Sequence, residues 1–170
     1  KEFVKPKPKE IFERTVNLED LAQTEAALIK TSAGDFAVRF MNDVAPLSAK
    51  QFARLLRTGA LDGAKATGVS RDETSVTITF STTLPAERRK VLLRDFPKET
   101  GVPHQGGTLS FCPSSEDKGR VTFDIVIGNA PSRDGRCPAF AAPVTVAGSP
   151  ALLAMKEMTV DANGVVSADI

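Results

Sequence analysis

Apolar residues recur along this chain with two different periods. In residues 36–40, Phe36, Val38 and Phe40 alternate with Ala37 and Arg39, which predicts a strand with one buried and one wet face. Residues 27–31 precede it across Ser32-Ala33-Gly34-Asp35, a tight-turn signal, so the two segments are expected to form a hairpin. At 47–58 the period changes. Phe52, Leu55 and Leu56 fall at i, i+3 and i+4, while Lys50, Arg54 and Arg57 take the other side of a helix. Pro46 opens that helix and Gly59 is placed to end it. Strand patterns return at 64–70 and 75–81, the latter alternating Val76, Ile78 and Phe80 with Thr77 and Thr79. A second helix is expected over 85–96, with Val91, Leu92 and Leu93 as its apolar side and Arg88, Arg89 and Lys90 as a solvated face.

The distal half predicts strands at 108–112, 121–127 and 139–146. A third helix follows, with Ser149 as N-cap, Pro150 in its first turn and Leu152, Leu153 and Met155 inside. Asp161-Ala162-Asn163-Gly164 is a turn signal leading to a last strand at 165–170. About eight short strands, two or three helices and no repeat suggest a closed antiparallel barrel, with an open α+β sheet as the alternative. Residues 1–26 read differently. Lys1, Lys5, Lys7 and Lys9 interleave with Pro6 and Pro8 in an extended arm, followed by a short helix capped by Asn17 with Leu18 and Leu21 as its contacts. The expected organisation is an N-terminal extension, 1–26, and one domain, 27–170. Phe3, Val4, Ile11 and Phe12 make the extension a candidate partner-binding arm; the alternative is a disordered tail.

Composition narrows the chemistry. The chain has 170 residues, 22 Lys plus Arg against 21 Asp plus Glu, one His, two Cys, ten Phe, and no Trp or Tyr. A net charge of +1 implies neither a nucleic-acid nor a membrane-surface field. No apolar run reaches the ~20 residues of a membrane span, and the N-terminus lacks the apolar stretch of a secretory leader. One His and two Cys cannot complete a four-ligand zinc site without carboxylates, and no metal or cofactor is expected. Any Ser–His–acid device would have to use His104. Cys112 and Cys137 each precede a proline and form no Cys-x-x-Cys pair, which argues against a thioredoxin-type role. Two separate buried thiols are the simpler expectation, and one disulfide in an oxidising compartment is the other.

Several short motifs, in order, resemble the cyclophilin family of peptidyl-prolyl isomerases from about Leu28 to the C-terminus. The segment from Ile29 to Asp35 is similar to the family's opening hairpin, and Ala45-Pro46-Leu47-Ser48 with Phe52 to its first helix. Gly59-Ala60-Leu61-Asp62-Gly63 resembles the turn before the catalytic strand, and Gly107-Thr108-Leu109-Ser110 the Gly-x-Leu-Ser strand. Asp134-Gly135-Arg136 with Phe140 resembles the Asp-Gly-Lys turn and the strand after it. The resemblance implies a mostly β fold, a closed antiparallel eight-stranded barrel with two or three helices. Phe36, Phe40, Phe52, Phe80, Phe123 and Phe140 are then its expected core.

The resemblance fails where the family does its chemistry. Its Phe-His-Arg strand is Ala66-Thr67-Gly68 here, so Gly68 stands where the catalytic Arg would be. Its Gln-Gly-Gly-Asp stretch is missing, with Thr77-Ile78-Thr79-Phe80 in that region. Its Gln-Phe-Phe strand becomes Thr122-Phe123-Asp124, a carboxylate in place of the proline-pocket Phe. Ser132 and Cys137 stand near positions where many members have Trp and His, and Cys112 and Cys137 both border the former groove. His104 matches a position outside the groove and is expected to be structural or superficial. Prolyl isomerisation has a barrier of ~20 kcal/mol, lowered by an apolar grip on the Pro ring and a cation at the twisted amide. With both lost, no catalytic residue is assigned, and Gly68, Cys112, Thr122, Asp124, Ser132 and Cys137 are degenerate groove positions. The expected role is a catalytically inactive docking or assembly subunit among other protein subunits, by analogy in an organelle, mitochondrion or plastid. The alternative is a divergent isomerase or peptide-binding chaperone with Arg71 as its cation. A redox protein, or nucleic-acid binding through Arg88, Arg89, Lys90 and Arg94, finds little support in composition or spacing.

Overall fold

The computed structural model describes residues 25–92, 99–112, 120–144, 149–160 and 166–167. The predicted hairpin forms from β1 (Ala26–Thr31) and β2 (Gly34–Phe40), in register from Ala26 opposite Arg39 to Thr31 opposite Gly34. Helix α1 (Pro46–Arg57) follows, and Gly59 ends it at a φ of 64°, where its N–H donates to the Leu56 carbonyl. The chain continues through β3 (Lys65–Arg71), β4 (Ser75–Thr83), α2 (Ala86–Leu92), β5 (Thr108–Ser110) and β6 (Arg120–Gly128). A 3-10 turn (Pro131–Arg133), β7 (Ala139–Pro143), α3 (Pro150–Lys156) and the short strands β8 (Thr159–Val160) and β9 (Val166–Ser167) complete the described elements.

Seven strands make one antiparallel sheet in the order β1-β2-β7-β5-β6-β4-β3. The sheet curls around α1. Phe52, fully buried, sits in the hollow with ring centroids 4.8 Å from Phe140 on β7, 5.1 Å from Phe123 on β6 and 6.3 Å from Phe40 on β2. Ala49 and Ala53 flank it on the buried side of α1 and keep the helix close to the strands. All six expected core phenylalanines belong to this cluster. A smaller cluster of Leu55, Ala60, Leu84, Leu92 and Val121 seats α2 on the end of α1. The N-terminus of α1 is closed from far along the chain. Its N-cap Ala45 offers no side-chain acceptor, and the Glu99 carboxylate instead accepts from the Leu47 and Ser48 N–H groups at 2.9 and 2.8 Å.

Among the described residues the closed eight-stranded barrel is not formed. β1 and β3 are the two terminal strands of the sheet, and the segment expected as an eighth staple pairs elsewhere: Val166 and Ser167 lie opposite Val160 and Thr159 in a separate two-stranded sheet. Among the described residues the result is an open, curled half-barrel with three helices. β8 has no counterpart in the predicted elements, because two residues are too few to show a period. The 161–164 turn, the ends of the expected 85–96 helix and 139–146 strand, and the arm residues Phe3, Val4, Ile11 and Phe12 with the Asn17 helix lie outside the described residues.

Candidate functional site

Register decides which residues share the outer face of the sheet. Phe80 lies opposite Phe123, and their rings stack 5.3 Å apart on the inner face. One residue away, on the outer face, Thr79 is opposite Asp124. The same row runs outward to Gly68 on β3 and inward to Ser110 on β5, crossing four strands. Two residues that the sequence marks as lost groove positions, Gly68 and Asp124, are therefore brought into one line. A bulge between Ala66 and Gly68 re-aims this end of β3. The backbone does not demand glycine there: a Cβ at Gly68 would meet Thr79 Cβ at 3.7 Å, an ordinary contact.

Asp124 is 5% exposed, so its carboxylate needs compensation. It accepts a hydrogen bond from the Thr79 hydroxyl at 2.7 Å and is ion-paired with the Arg133 guanidinium. The carboxylate that stands in place of the proline-pocket Phe is thus the centre of a polar network. Beside it in the row, Ser110 is fully buried, and among the described residues its Oγ has no hydrogen-bond partner.

Arg133 comes from the connection between β6 and β7, which is tied to the sheet at several points. The Ala130 N–H donates to the His104 carbonyl at 3.0 Å. Asp134 Oδ1 accepts from both the His104 main-chain N–H and Nδ1, each at 2.8 Å. A carboxylate can only accept, so the His104 proton is on Nδ1, and Nε2 is left buried without a partner among the described residues. The His104 ring's hydrogen bond is the main reason that Asp134 lies below the ordinary carboxylate value of 3.8. At the end of the connection Cys137 is bonded to Cys112, Cα to Cα 4.7 Å, and the Phe111 N–H donates to the Pro138 carbonyl. The expectation of two separate thiols is overturned. Residues 25 positions apart are brought within bonding range because β5 and β7 are neighbours in the sheet, which local spacing does not reveal.

The other assignments divide. His104 is structural and fully buried, not superficial. Thr122 is half-buried opposite Ser81, next along β6 on the face that carries Asp124, whereas Ser132 is exposed on the 3-10 turn. Arg71 is not in the groove row: its guanidinium donates at 2.6 Å to the carbonyls of Lys156 and Met158, capping the end of α3. The supposed solvated face of α2 is only partly so. Arg88 donates to the Thr58 carbonyl at 2.8 Å and joins α2 to α1, and Arg88 and Arg89 both have buried Nε atoms. Arg133 and Glu99 escaped sequence reading. Each acts on a partner fixed by topology, and neither stands in a motif. Among the described residues no three His, Cys, Asp or Glu side chains gather to hold a metal, and no helix is long and apolar enough to cross a membrane.

Comparison with known proteins matches the fold. The chain is similar in structure to a cyclophilin type peptidyl-prolyl cis-trans isomerase of Cryptosporidium parvum, at 18% identity and a TM-score of 0.60, covering 81% of this chain and 87% of that one. A second structure of that protein, in the presence of the dipeptide Ala-Pro, gives 17% identity and a TM-score of 0.62 over 84% and 91% of the two chains. A cyclophilin from Hirschia baltica gives 13% identity and 0.55 over 93% and 76%. At these identities the likeness is one of fold. No curated protein matches by sequence. The family model described as cyclophilin type peptidyl-prolyl cis-trans isomerase/CLD matches residues 26–170, and the chain belongs to that family.

Proposed function

We propose that this chain is a catalytically inactive cyclophilin-like domain, a docking or assembly subunit whose partners are other protein subunits. The observation that carries the reading is the buried Asp124–Arg133 pair. A guanidinium beside the groove row is neutralised by a carboxylate that replaces an apolar pocket residue, and Gly68 supplies no second cation in that row. Stabilising a twisted prolyl amide requires a charge placed where the transition state needs it and not already satisfied in the ground state. The ties at His104 and Cys112 hold Arg133 on Asp124 rather than over a substrate. A disulfide persists in oxidising surroundings, which narrows the organellar expectation to an oxidising space.

The test is a prolyl isomerase assay on Xaa-Pro peptides with the intact chain. The expected result is no turnover above the uncatalysed rate, and family-typical turnover overturns the reading. A divergent isomerase or peptide-binding chaperone is the second reading, and Arg133, the guanidinium at the row, favours it. In that case Arg133→Ala abolishes the measured activity while Arg71→Ala leaves it intact.

A further inference from the structure

We infer that the Cys112–Cys137 bond is a redox latch: oxidised, it keeps Arg133 on Asp124, and its reduction by a dithiol releases the β6–β7 connection and opens the buried carboxylate to water. The inference goes beyond the docking-subunit reading, since it concerns the state of the connection whether or not the chain turns a substrate over.

Apolar burial does little to hold the connection. From Pro131 to Cys137 the one buried side chain is Cys137, at 2% exposure; Arg133 and Asp134 are half-buried and the others are exposed. A stretch that buries so little opens more readily than the strands beside it. Its backbone bonds are internal. The Arg133 N–H donates to the Ala130 carbonyl, that of Asp134 to Pro131, and those of Arg136 and Cys137 to Arg133. These bonds shape the turn without fastening it to the sheet. Among the described residues three side-chain ties do that: Asp134 on His104, Arg133 on Asp124, and the disulfide. The first two are polar and partly wet, with Asp134 37% and Arg133 19% exposed, so each weakens as water enters. The disulfide is the covalent one, and the Cys137 N–H on the Arg133 carbonyl links it through a single turn to the residue it controls. The two ends stay put: the Ala130 N–H is on the His104 carbonyl, and the Phe111 N–H is on the Pro138 carbonyl. Release is therefore confined to a flap between residues 130 and 138.

The two sulfurs differ in access. Cys112 is half-buried and Cys137 is buried, so a thiolate of the dithiol attacks Cys112 Sγ, and the Cys137 sulfur leaves and takes up a proton. The reductant's second thiol then attacks the mixed disulfide, which frees the Cys112 thiol and closes the reductant's own disulfide. Two electrons pass from the dithiol to the cysteine pair. With the flap loosened, Arg133 leaves Asp124, and the row of Gly68, Thr79, Asp124 and Ser110 loses its cover.

The test labels the carboxylates of the full chain with a carbodiimide and glycine ethyl ester, with and without dithiothreitol, and reads each site by peptide mass mapping. Asp43, which is exposed, serves as the internal standard. Asp124 is 5% exposed, and in the oxidised protein it should label far more slowly than Asp43. Dithiothreitol should raise the Asp124 rate about tenfold or more and leave that of Asp43 unchanged. Reoxidation should restore the protection. Amide exchange in β4 should stay slow in both states, which separates release of the flap from unfolding of the sheet. Cys112→Ser with Cys137→Ser should label like the reduced parent without any dithiothreitol; if that variant fails to fold, the reduced parent alone makes the comparison. The inference is overturned if dithiothreitol leaves the bond intact in the folded protein, or if the reduced chain protects Asp124 as well as the oxidised one. It is also overturned if Asp124 labelling rises only together with exchange in β4.

Discussion

On the inner face of the sheet, Phe80 stacks on Phe123, which meets Phe52 edge-on; one residue along the same strands, on the outer face, Thr79 and Arg133 satisfy Asp124. The inner face is held by contacts without direction, spread over many rings, and it tolerates divergence as long as size and apolarity are kept. The outer face is held by a few directional bonds that converge on one buried charge, and each depends on the others being present. A family fold survives at 18% identity or less to solved relatives because the first kind of surface is permissive. The groove row differs from the family's motif because the second kind can be rebuilt as a closed polar network, here around Asp124.

The largest way to break the comparison is at its inner centre. Phe52→Ala removes a fully buried ring that touches Phe40, Phe111, Phe123 and Phe140, and should cost about 4 kcal/mol in urea unfolding. A cost below about 1 kcal/mol would mean that α1 is not the plug of the half-barrel. Next is the tie at the edge of the groove. Replacing Cys112 and Cys137 together by Ser frees a closure of 25 residues and should cost about 3 kcal/mol. Comparing the unfolding midpoint of the oxidised parent with and without reductant checks the same quantity without a substitution.

Arg133→Ala is the sharpest test of the outer face. Leaving a buried carboxylate unpaired costs ~3–5 kcal/mol in a dry interior. Arg133 keeps some contact with water at 19% exposure, so about 2 kcal/mol is expected. The double change Asp124→Leu with Arg133→Leu should recover most of that loss, since no orphan charge remains. If the double variant is as unstable as the single one, the pair is a packing element and the contrast between the two faces weakens.

How much of this was legible in the chain follows the same division. The six core phenylalanines and the α1 stripe could be read because alternation and the helical period are local signals, and local order is enough to say which side is apolar. Pro46 and Gly59 could be placed because each acts on its own backbone. The Cys112–Cys137 bond, the Glu99 cap on α1 and the Arg133–Asp124 pair were not legible, since each joins segments that only the strand order β7-β5-β6 or the folded-back chain brings together. Barrel closure misled for a related reason. Residues 166–167 have strand character, but strand character does not name a partner, and these pair with 159–160 instead of joining the large sheet. Gly68 and Asp124 stand out in the sequence as departures from the family's motif, yet the resemblance could not show that Thr79 and Arg133 would absorb the carboxylate.

The smallest expected effect is a pH dependence at the tie between His104 and the β6–β7 connection. Hydrogen bonds from His104 hold Asp134 below 3.8, its ordinary value, so the folded state favours the charged carboxylate. A carboxylate lowered in this way stabilises the fold fully above its unfolded value, and the contribution is lost as pH falls below 3.8 through the lower folded value. The side chain of Asp134 is 37% exposed, so water screens the interaction and the effect is modest. Other carboxylates titrate in the same range, so the informative quantity is the difference in urea midpoint between the parent and Asp134→Asn. That difference should be present near neutrality and shrink as the solution is taken below 3.8, because the protonated parent then resembles the amide. A difference that stays constant across the acid range would show that the tie rests on the shape of the connection, leaving Asp124 as the charge on which the outer face depends.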